Sequence, residues 1–448
     1  MEAKVQLVRC PVDDPSVAAD QWNMPLDLLV LADAVSGECD VEIVDGTLLG
    51  LAEVRRRLTS GAPVVGFTFT ALSAKTLGVL TTECKTRGSF VVVGGQPATG
   101  AWRSLVLEPS IDAVCVGDGT PVMRAVARQL ARGRLDPTQL PNVVTRTSEG
   151  TVVTTREESD EVWSQGIPPR NLGGLDPDRY LSRYPATNTL VNMGGKRAVN
   201  TFSKRGCPFG CSFCARQDKR IRLRNPRLMA SEIRALVDAH GIDYVLDTSD
   251  TWFHAEWAKE FAAERVAWGL KNVRMMVFAD SRHITPSACR LMSACGVDSV
   301  LLGVESGSER ILRLNSKETT RESILRAVDW LVAEKIRVSC SFVLGLLGED
   351  EASLAETLSL CELLTEKPNV LCYGNVIMPL MGSRLWSATF PPSRPWPSFI
   401  TRAIDYDLKA ARELYVREAT HVEDVSVLQC SCESLLHLGG LECLEYAR

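Results

Sequence analysis

Cys207, Cys211 and Cys214 lie in the segment Ser203-Lys-Arg-Gly-Cys-Pro-Phe-Gly-Cys-Ser-Phe-Cys214, a C-x-x-x-C-x-x-C spacing. Thiolates are the ligands that iron–sulfur clusters require. Three of them on one short loop can hold three corners of a [4Fe-4S] cluster and leave the last iron without a protein ligand. An open coordination position is what separates a catalytic metal site from a closed structural one. Gly206 and Gly210 let the loop turn sharply and bring backbone N–H groups near the sulfurs. A zinc site would need a further ligand, from a second C-x-x-C pair or from paired histidines, and none lies nearby. The chain has fifteen cysteines, and most of the others (Cys115, Cys289, Cys295, Cys340, Cys361, Cys372) sit singly in apolar patterns, as small hydrophobes do. Cys430, Cys432 and Cys443, with His437, form a looser group whose spacing is a weak metal pattern; thiols packing a terminal helix such as Ser434–Leu438 is the simpler reading.

The elements that must position the cysteine loop fall into two alternations. Residues 1–150 carry apolar runs at Val5–Val8, Val41–Val44, Val64–Thr70, Phe90–Val93 and Ala113–Val116, separated by amphipathic stretches such as Leu51–Leu58, Ala74–Thr86 and Pro121–Arg132. Continuous apolar strands alternating with helices predict a parallel, doubly wound α/β sheet. Its strand ends are punctuated by Asp45-Gly46, Thr68–Ser73, Gly94-Gly95-Gln96-Pro97 and Gly117-Asp118-Gly119, where ligands of such sheets bind. Residues 151–195, with Pro168-Pro169, Gly173-Gly174 and Gly194-Gly195, read as a linker. A second alternation over 196–390 places strands at Ala198–Phe202, Tyr244–Asp247, Val273–Phe278, Ser299–Gly303, Arg337–Leu344 and Val370–Met378, with helices such as Arg227–Ala239 and Arg321–Lys335 between them. Six such units predict a partial (β/α)6 barrel with function at the strand carboxyl ends. The prolines after Phe390 break the pattern, and residues 391–448 read as a short, mostly helical segment centred on Phe399–Thr420.

Composition removes several classes of function. A chain of 448 residues, 45% hydrophobic and 23% charged, is ordinary for globular protein of more than one domain. A formal net charge of −5 gives no case for nucleic acid or for an anionic membrane surface. No apolar run approaches the ~20 residues that span a bilayer, and the start MEAKVQLVRC is no signal peptide. A cytoplasmic location is the expectation.

The cysteine motif, with Phe213 before its last thiol, resembles that of the radical S-adenosylmethionine (SAM) superfamily. Leu302-Gly-Val-Glu305-Ser306-Gly307 resembles the G-x-E-S-G segment, and Val343-Leu-Gly345-Leu-Leu-Gly348-Glu349 the G-x-x-G-E turn, through which these enzymes contact SAM. Asp247-Thr-Ser249-Asp-Thr-Trp-Phe253 stands where the family contacts the SAM amino group, although no Gly-Gly-Glu is present there. The resemblance implies a SAM site at Phe213, Asp247, Ser249, Glu305, Ser306, Gly345 and Glu349. Residues 1–150 look like the cobalamin-binding domain of cobalamin-dependent members, which implies contacts from Thr70, Leu72, Ser73, Gly94, Gly95, Gln96, Gly117, Asp118 and Gly119. The loop after the first strand, Arg9-Cys-Pro-Val-Asp-Asp-Pro15, lacks the Asp-x-His-x-x-Gly motif of corrinoid proteins, and residues 1–150 contain no histidine that could ligate cobalt. Methylthiotransferases share the order of an α/β domain before a radical SAM barrel, but the contexts of Cys10, Cys39 and Cys84 do not match their cluster cysteines.

Together the resemblances imply a methyltransferase that passes a methyl group from SAM, through methylcobalamin, to an unactivated carbon of a small molecule. A rearrangement, ring contraction or cyclisation on the same architecture, with cobalamin in another role or a vestigial cobalamin domain, is the alternative; a non-catalytic iron–sulfur or corrinoid carrier is the weakest one. An external electron donor such as flavodoxin or ferredoxin is implied. Catalytic residues beyond the cofactor ligands are not assigned.

Overall fold

The structure is a computed structural model that describes residues 4–13, 23–58, 62–156, 175–176, 178–181, 196–216, 218–252 and 254–438. Two compact units form, each from separate stretches of chain. The first gathers residues 1–180, 215–217 and 380–411; the second gathers 181–214, 218–379 and 412–448. The linker expected over 151–195 lies mostly outside the described residues, as do Phe253 and Cys443.

In the first unit the strands are β1 (Lys4–Arg9), β2 (Asp40–Asp45), β3 (Val64–Thr68), β4 (Phe90–Gly94), β5 (Ala113–Cys115), β6 (Val143–Thr147) and β7 (Gly150–Val153). Their order is β2-β1-β3-β4-β5-β6-β7. The five from β2 to β5 are parallel, the doubly wound pattern, with its topological switch between β1 and β3. Strands such as Phe-Val-Val-Val-Gly in β4 are apolar on both faces because helices cover both sides. β6 and β7 pair antiparallel and extend the sheet as a hairpin that the sequence reading did not separate from its surroundings. The expected strand Val64–Thr70 ends at Thr68, because Thr70 caps a 3₁₀ turn over Ala71–Ser73. Gln96, read as loop, opens the helix Gln96–Leu105, whose Pro97 sits in the first turn where no N–H is needed.

Residues of the proline-broken stretch after Leu380 complete this first unit. Arg402 donates to both oxygens of buried Glu108 (3.0 and 2.7 Å), and Ala403 N donates to Ser104 Oγ (2.8 Å). The helix Gln96–Leu105 comes so close that a Cβ on Gly100 would lie 2.5 Å from Met381 O. Trp386, Phe390, Trp396 and Tyr406 pack edge to face and tilted, with neighbouring ring centroids 4.7 to 6.0 Å apart.

The second unit is built on β8 (Ala198–Thr201), a hairpin of β9 (Lys204–Arg205) and β10 (Arg222–Leu223), then β11 (Tyr244–Asp247), β12 (Arg274–Ala279), β13 (Val297–Glu305), β14 (Arg337–Leu344) and β15 (Val370–Val376). Six of these form one parallel sheet in the order β15-β14-β13-β12-β11-β8, which is sequence order, as in an open portion of a βα barrel. The connecting helices carry ordinary stop and start signals. Pro226–His240 begins on an Asn225 cap and ends on Gly241 at φ 63°, and Glu351–Thr365 begins on an Asp350–Ser353 capping box. The helix Val425–Leu438 closes the sheet at β14 and β15; a Cβ on Gly345 would meet Leu428 at 2.8 Å, and one on Gly374 would meet Leu435 at 2.7 Å.

Candidate functional site

The cysteine loop leaves the sheet at β8 and returns through β10, so the β9–β10 hairpin clamps its two ends. Gly206 stands at the base with φ 89°, and a Cβ there would lie 2.0 Å from Arg220 O. Only glycine fits, on both conformation and space. Beyond the hairpin, Arg224 is fully buried and ion-paired with Glu232 on the helix Pro226–His240, while its Nη1 donates to Thr201 Oγ1 (3.0 Å). The charge pair fixes the point at which the chain leaves the loop.

The loop itself has almost no regular structure, so its backbone polar groups must be satisfied by the strand ends around it. Ser203 N donates to Ser249 Oγ (2.9 Å) and Asp247 Oδ1 (3.1 Å), and Lys204 N donates to Ser249 Oγ (3.0 Å). Gly206 N donates to Asp250 Oδ2 (3.0 Å), Cys207 N to Asp218 O (3.1 Å) and Ser212 N to Asn315 O (2.9 Å). Cys207 and Cys211 are half-buried and Cys214 is exposed, whereas Cys289, Cys295, Cys340, Cys361 and Cys372 are buried. Three cysteines on one loop, none of them fully buried, fit a cluster, in which each sulfur holds a different iron. Among the described residues no three His, Cys, Asp or Glu side chains converge on a single ion.

A buried charge network stands beside Cys211. Lys317 Nζ pairs with Asp280 Oδ2 (2.9 Å), at the end of β12, and with Glu305 Oε1 (3.3 Å), at the end of β13; Arg282 pairs with Asp280 (2.7 Å). The two neighbouring carboxylates hold the Lys317 ammonium well above its ordinary range despite burial, and the Arg282 and Lys317 cations hold Asp280 well below the carboxylate range. Burial pushes the Cys211 thiol up, and the same cations oppose it. Arg282 also stacks over Phe209 of the loop (3.5 Å to the ring centroid), with the His283 ring 5.2 Å from it on centroids.

The residues expected at the SAM site fall at the carboxyl ends of the same sheet. Phe213 is half-buried on the loop. Asp247 is fully buried at the end of β11; its Oδ1 takes Ser203 N and the Ser249 N–H and hydroxyl, and burial pushes its carboxyl up. Asp247 and Ser249 therefore hold the loop's entry through direct hydrogen bonds. Glu305 ends β13 with φ 69°, an uncommon backbone conformation for its type. Its carboxylate folds back over Gly303, where a Cβ would lie 2.5 Å from Oε1. Ser306 is buried against Thr357 (3.3 Å between hydroxyls), and a Cβ on Gly307 would meet Glu356 O at 2.5 Å. Gly345 (φ 91°) starts a turn that Glu349 closes: Glu349 Oε2 accepts Gly345 N (2.8 Å) and Leu346 N (3.3 Å), and Oε1 accepts Ser353 Oγ (3.1 Å).

In the first unit the residues expected to contact cobalamin all lie at carboxyl ends of β3, β4 and β5. Thr70 and Ser73 cap one another across the turn that carries Leu72. Gly94 and Gly95 follow β4; Gly95 has φ 92°, and a Cβ there would strike Thr68 Oγ1 at 2.6 Å. Gln96 Nε2 donates to Ala215 O (2.8 Å) of the same unit. Gly117 (φ 96°) faces open space, its N–H donating to Thr99 Oγ1 (3.0 Å), and Asp118 and Gly119 lead into the helix Thr120–Ala131. The loop after β1 is tied down: Asp13 Oδ1 accepts Thr76 N (2.9 Å), and Asp13 N donates to Leu72 O (2.7 Å).

Sequence reasoning missed Asp250, Asp280, Arg282, Asn315 and Lys317. Asp250 lies inside the Asp247–Phe253 segment, and its spacing from the strand end is the one signal for it. The others have no motif of their own. In the tail, the helical turn puts Cys432 inward, 2% exposed, and Cys430 outward.

Two tests follow from this geometry. Gly206→Ala should destabilise the second unit by about 2–4 kcal/mol, from overpacking and a disfavoured φ, and should abolish iron uptake on reconstitution; iron analysis with a melting curve reads both. Burial raises the Glu349 carboxyl to about 7 from its ordinary 4.5. Below about pH 4.5 it is protonated folded and unfolded alike. Between about pH 4.5 and about 7 only the unfolded chain ionises this group, so its cost builds across that window to about 3 kcal/mol of stability above it. Glu349→Gln should flatten that part of the stability–pH curve.

Residues 202–361 match the radical SAM superfamily. The chain is 29% identical over 338 residues to the anaerobic magnesium-protoporphyrin IX monomethyl ester cyclase of Rubrivivax gelatinosus, covering 72% of this chain and 58% of the cyclase. It is 24% identical over 383 residues to an uncharacterised methyltransferase of Pyrococcus horikoshii, covering 81% of this chain and 77% of that protein. The radical SAM methyltransferase TsrM of Kitasatospora setae, solved with cobalamin and a [4Fe-4S] cluster bound, superposes with a TM-score of 0.70 at 17% identity, over 91% of this chain and 81% of its own. A second structure of TsrM, with tryptophan substrate and a SAM analogue, gives 0.70 at 18% identity, over 90% and 82%. The chain thus spans little more than half of the cyclase but most of the methyltransferases. No helix among the described residues is long and apolar enough to cross a membrane. With the cysteine loop, Glu305 and the Gly345–Glu349 turn all inside the matched span, residues 202–361 are a radical SAM domain, and the chain shares its fold with a radical SAM methyltransferase solved with cobalamin bound.

Proposed function

We propose that the chain is a cobalamin-dependent radical SAM methyltransferase that methylates an unactivated carbon of a small molecule. The observation that carries this reading is the pairing, in one chain, of a β2-β1-β3-β4-β5 sheet with glycine-lined carboxyl-end turns and a loop that carries three cysteines, none of them fully buried. Gly95 and Gly117, both at positive φ, let backbone come close to a bulky ligand at the edge where doubly wound sheets bind their cofactors. When bound, the cluster supplies the electron that cleaves SAM, and cobalamin supplies the carrier for the methyl group.

The chain's own residues would do the rest. Cys207, Cys211 and Cys214 hold the cluster, and Lys317 and Arg282 offset the thiolate charge beside Cys211. Phe213 and the ends of β11, β13 and β14, with Asp247, Ser249, Glu305, Ser306, Gly345 and Glu349 in or behind them, shape the SAM site. Thr70, Leu72, Ser73, Gly94, Gly95, Gln96, Gly117, Asp118 and Gly119 shape the cobalamin site. No histidine occurs within residues 1–150, so they would offer cobalamin no imidazole ligand. Substrate of small size is supported by the tryptophan of TsrM. Electrons would come from a flavodoxin or ferredoxin.

Likeness to methyltransferases over most of their length supports methylation. The 29% identity to a cyclase favours the second reading, ring formation or rearrangement without methyl transfer. Turnover with SAM deuterated in its methyl group separates the two, with the Cys207→Ala, Cys211→Ala, Cys214→Ala protein as the blank. Methylation requires one SAM to end as S-adenosylhomocysteine, another as 5′-deoxyadenosine and methionine, and the product to gain an intact trideuteromethyl group. An unlabelled product formed without S-adenosylhomocysteine would establish the second reading.

A further inference from the structure

Asn315 is 0% exposed, lies outside every motif that identified the site, and has a side chain with no unused hydrogen-bonding capacity. Its Oδ1 accepts Ser212 Oγ (2.9 Å) and Leu347 N (3.3 Å). Its Nδ2 donates to Ile311 O (3.0 Å) and Leu347 O (3.1 Å). Its main-chain O accepts Ser212 N (2.9 Å). Two acceptor and two donor positions are all that an amide offers. Rotating the amide by half a turn would set its N–H groups against the Leu347 N–H and its oxygen against two carbonyls, so the orientation is fixed.

The three segments so joined are the ones that matter. Ser212 sits between Cys211 and Cys214. Leu347 sits inside the Gly345–Glu349 turn. Ile311 belongs to the helix Glu309–Leu314 that follows Ser306-Gly307. How the amide reaches them is also visible. The helix ends with Ser316 at φ 56°, Ser316 N donating to Arg313 O (3.0 Å) and Lys317 N to Leu312 O (2.8 Å). That is a Schellman closure with serine in the place glycine usually takes. It reverses the chain so that Asn315 points to the loop and, two residues on, Lys317 points to Asp280 and Glu305.

We infer that Asn315 is a positioning residue that sets the spacing between the cysteine loop and the turn after β14, and with it the way SAM meets the cluster. The inference rests on the SAM-cleaving reading of this site. The side chain of Asn315 is hydrogen-bonded to Ser212, Ile311 and Leu347, none of which is a cluster ligand or an expected SAM contact. It acts through Ser212 and Leu347, and a buried network with every member satisfied is stiff. Glu349 closes the same turn from its other side, so the turn's position is determined by both residues together.

The test uses the full chain carrying its cluster. Ser212→Ala removes one hydrogen bond to the Asn315 amide and no ligand. Losing one bond of a buried network should raise the KM for SAM in reductive cleavage by about tenfold if the whole loss is expressed in SAM binding. Iron content and the paramagnetic resonance signal of the reduced cluster without SAM should stay as in wild type, while the change that SAM makes in that signal shrinks. Ser212→Thr, which keeps the hydroxyl, should restore the KM, and Asn315→Asp, of the same shape but with both donors gone, should be worse than Ser212→Ala. A Ser212→Ala protein with wild-type KM and the full SAM-induced spectral change would overturn the inference even if it melts lower. Wild type that holds a complete cluster yet neither binds nor cleaves SAM would overturn the reading beneath it.

Discussion

A loop that must hold out three thiols cannot spend its backbone on regular hydrogen bonds, and the second unit is organised around that constraint. Polar groups of the loop are taken up by the end of β11, by the loop's own return and by the end of the helix Glu309–Leu314. Asp247 and Ser249 after β11 hold its entry, Asp250 takes the Gly206 N–H, Asp218 O takes the Cys207 N–H, and Asn315 takes both the N–H and hydroxyl of Ser212. Cys207, Cys211 and Cys214 thereby inherit the rigidity of a six-stranded parallel sheet without belonging to it. The charge network of Lys317, Asp280, Glu305 and Arg282 adds the electrostatic half of the same arrangement. Its cations, buried Lys317 and half-buried Arg282, stand beside a loop that would become strongly negative when thiolates and sulfides assemble there.

The glycines of the motifs are spatial requirements more often than conformational ones. Gly303 leaves room for the Glu305 carboxylate to fold back, and Gly307 lets the chain press against the backbone of the helix Glu351–Thr365. At Gly206 and Gly345 the two requirements coincide, positive φ and a blocked Cβ. In the first unit Gly117 differs, since it has positive φ and nothing within reach of a Cβ. An open, glycine-lined turn at a carboxyl edge is where a large ligand would find backbone to approach.

Much of this was legible in the chain alone. Tyr244–Asp247 and Arg337–Leu344 have the bounds their apolar runs suggested, and so does the helix Ala74–Thr86, because continuous hydrophobic strands between capped helices leave little freedom. The cysteine spacing marked the loop, since few other chemistries require it. Three things were hidden. The hairpin β6–β7 is short and half exposed, so its pattern is weak. The association of residues 380–411 with the first unit depends on long-range matches such as Arg402 with Glu108, which leave no local trace. Asn315 was invisible because its helix ends on Ser316, so the glycine that would have flagged a reversal is missing. Residues that bind cofactors carry motifs; residues that hold those in place are defined by geometry, and the sequence shows them only after the fold is known.

Three protein thiolates would leave one iron of the cluster open for SAM. Mössbauer spectroscopy of the iron-57 reconstituted protein, with and without SAM, tests it most directly. The expected result is a single four-iron cluster in which one iron site alone changes its isomer shift when SAM is added. A spectrum that SAM leaves untouched, in a protein holding its full iron, would contradict it.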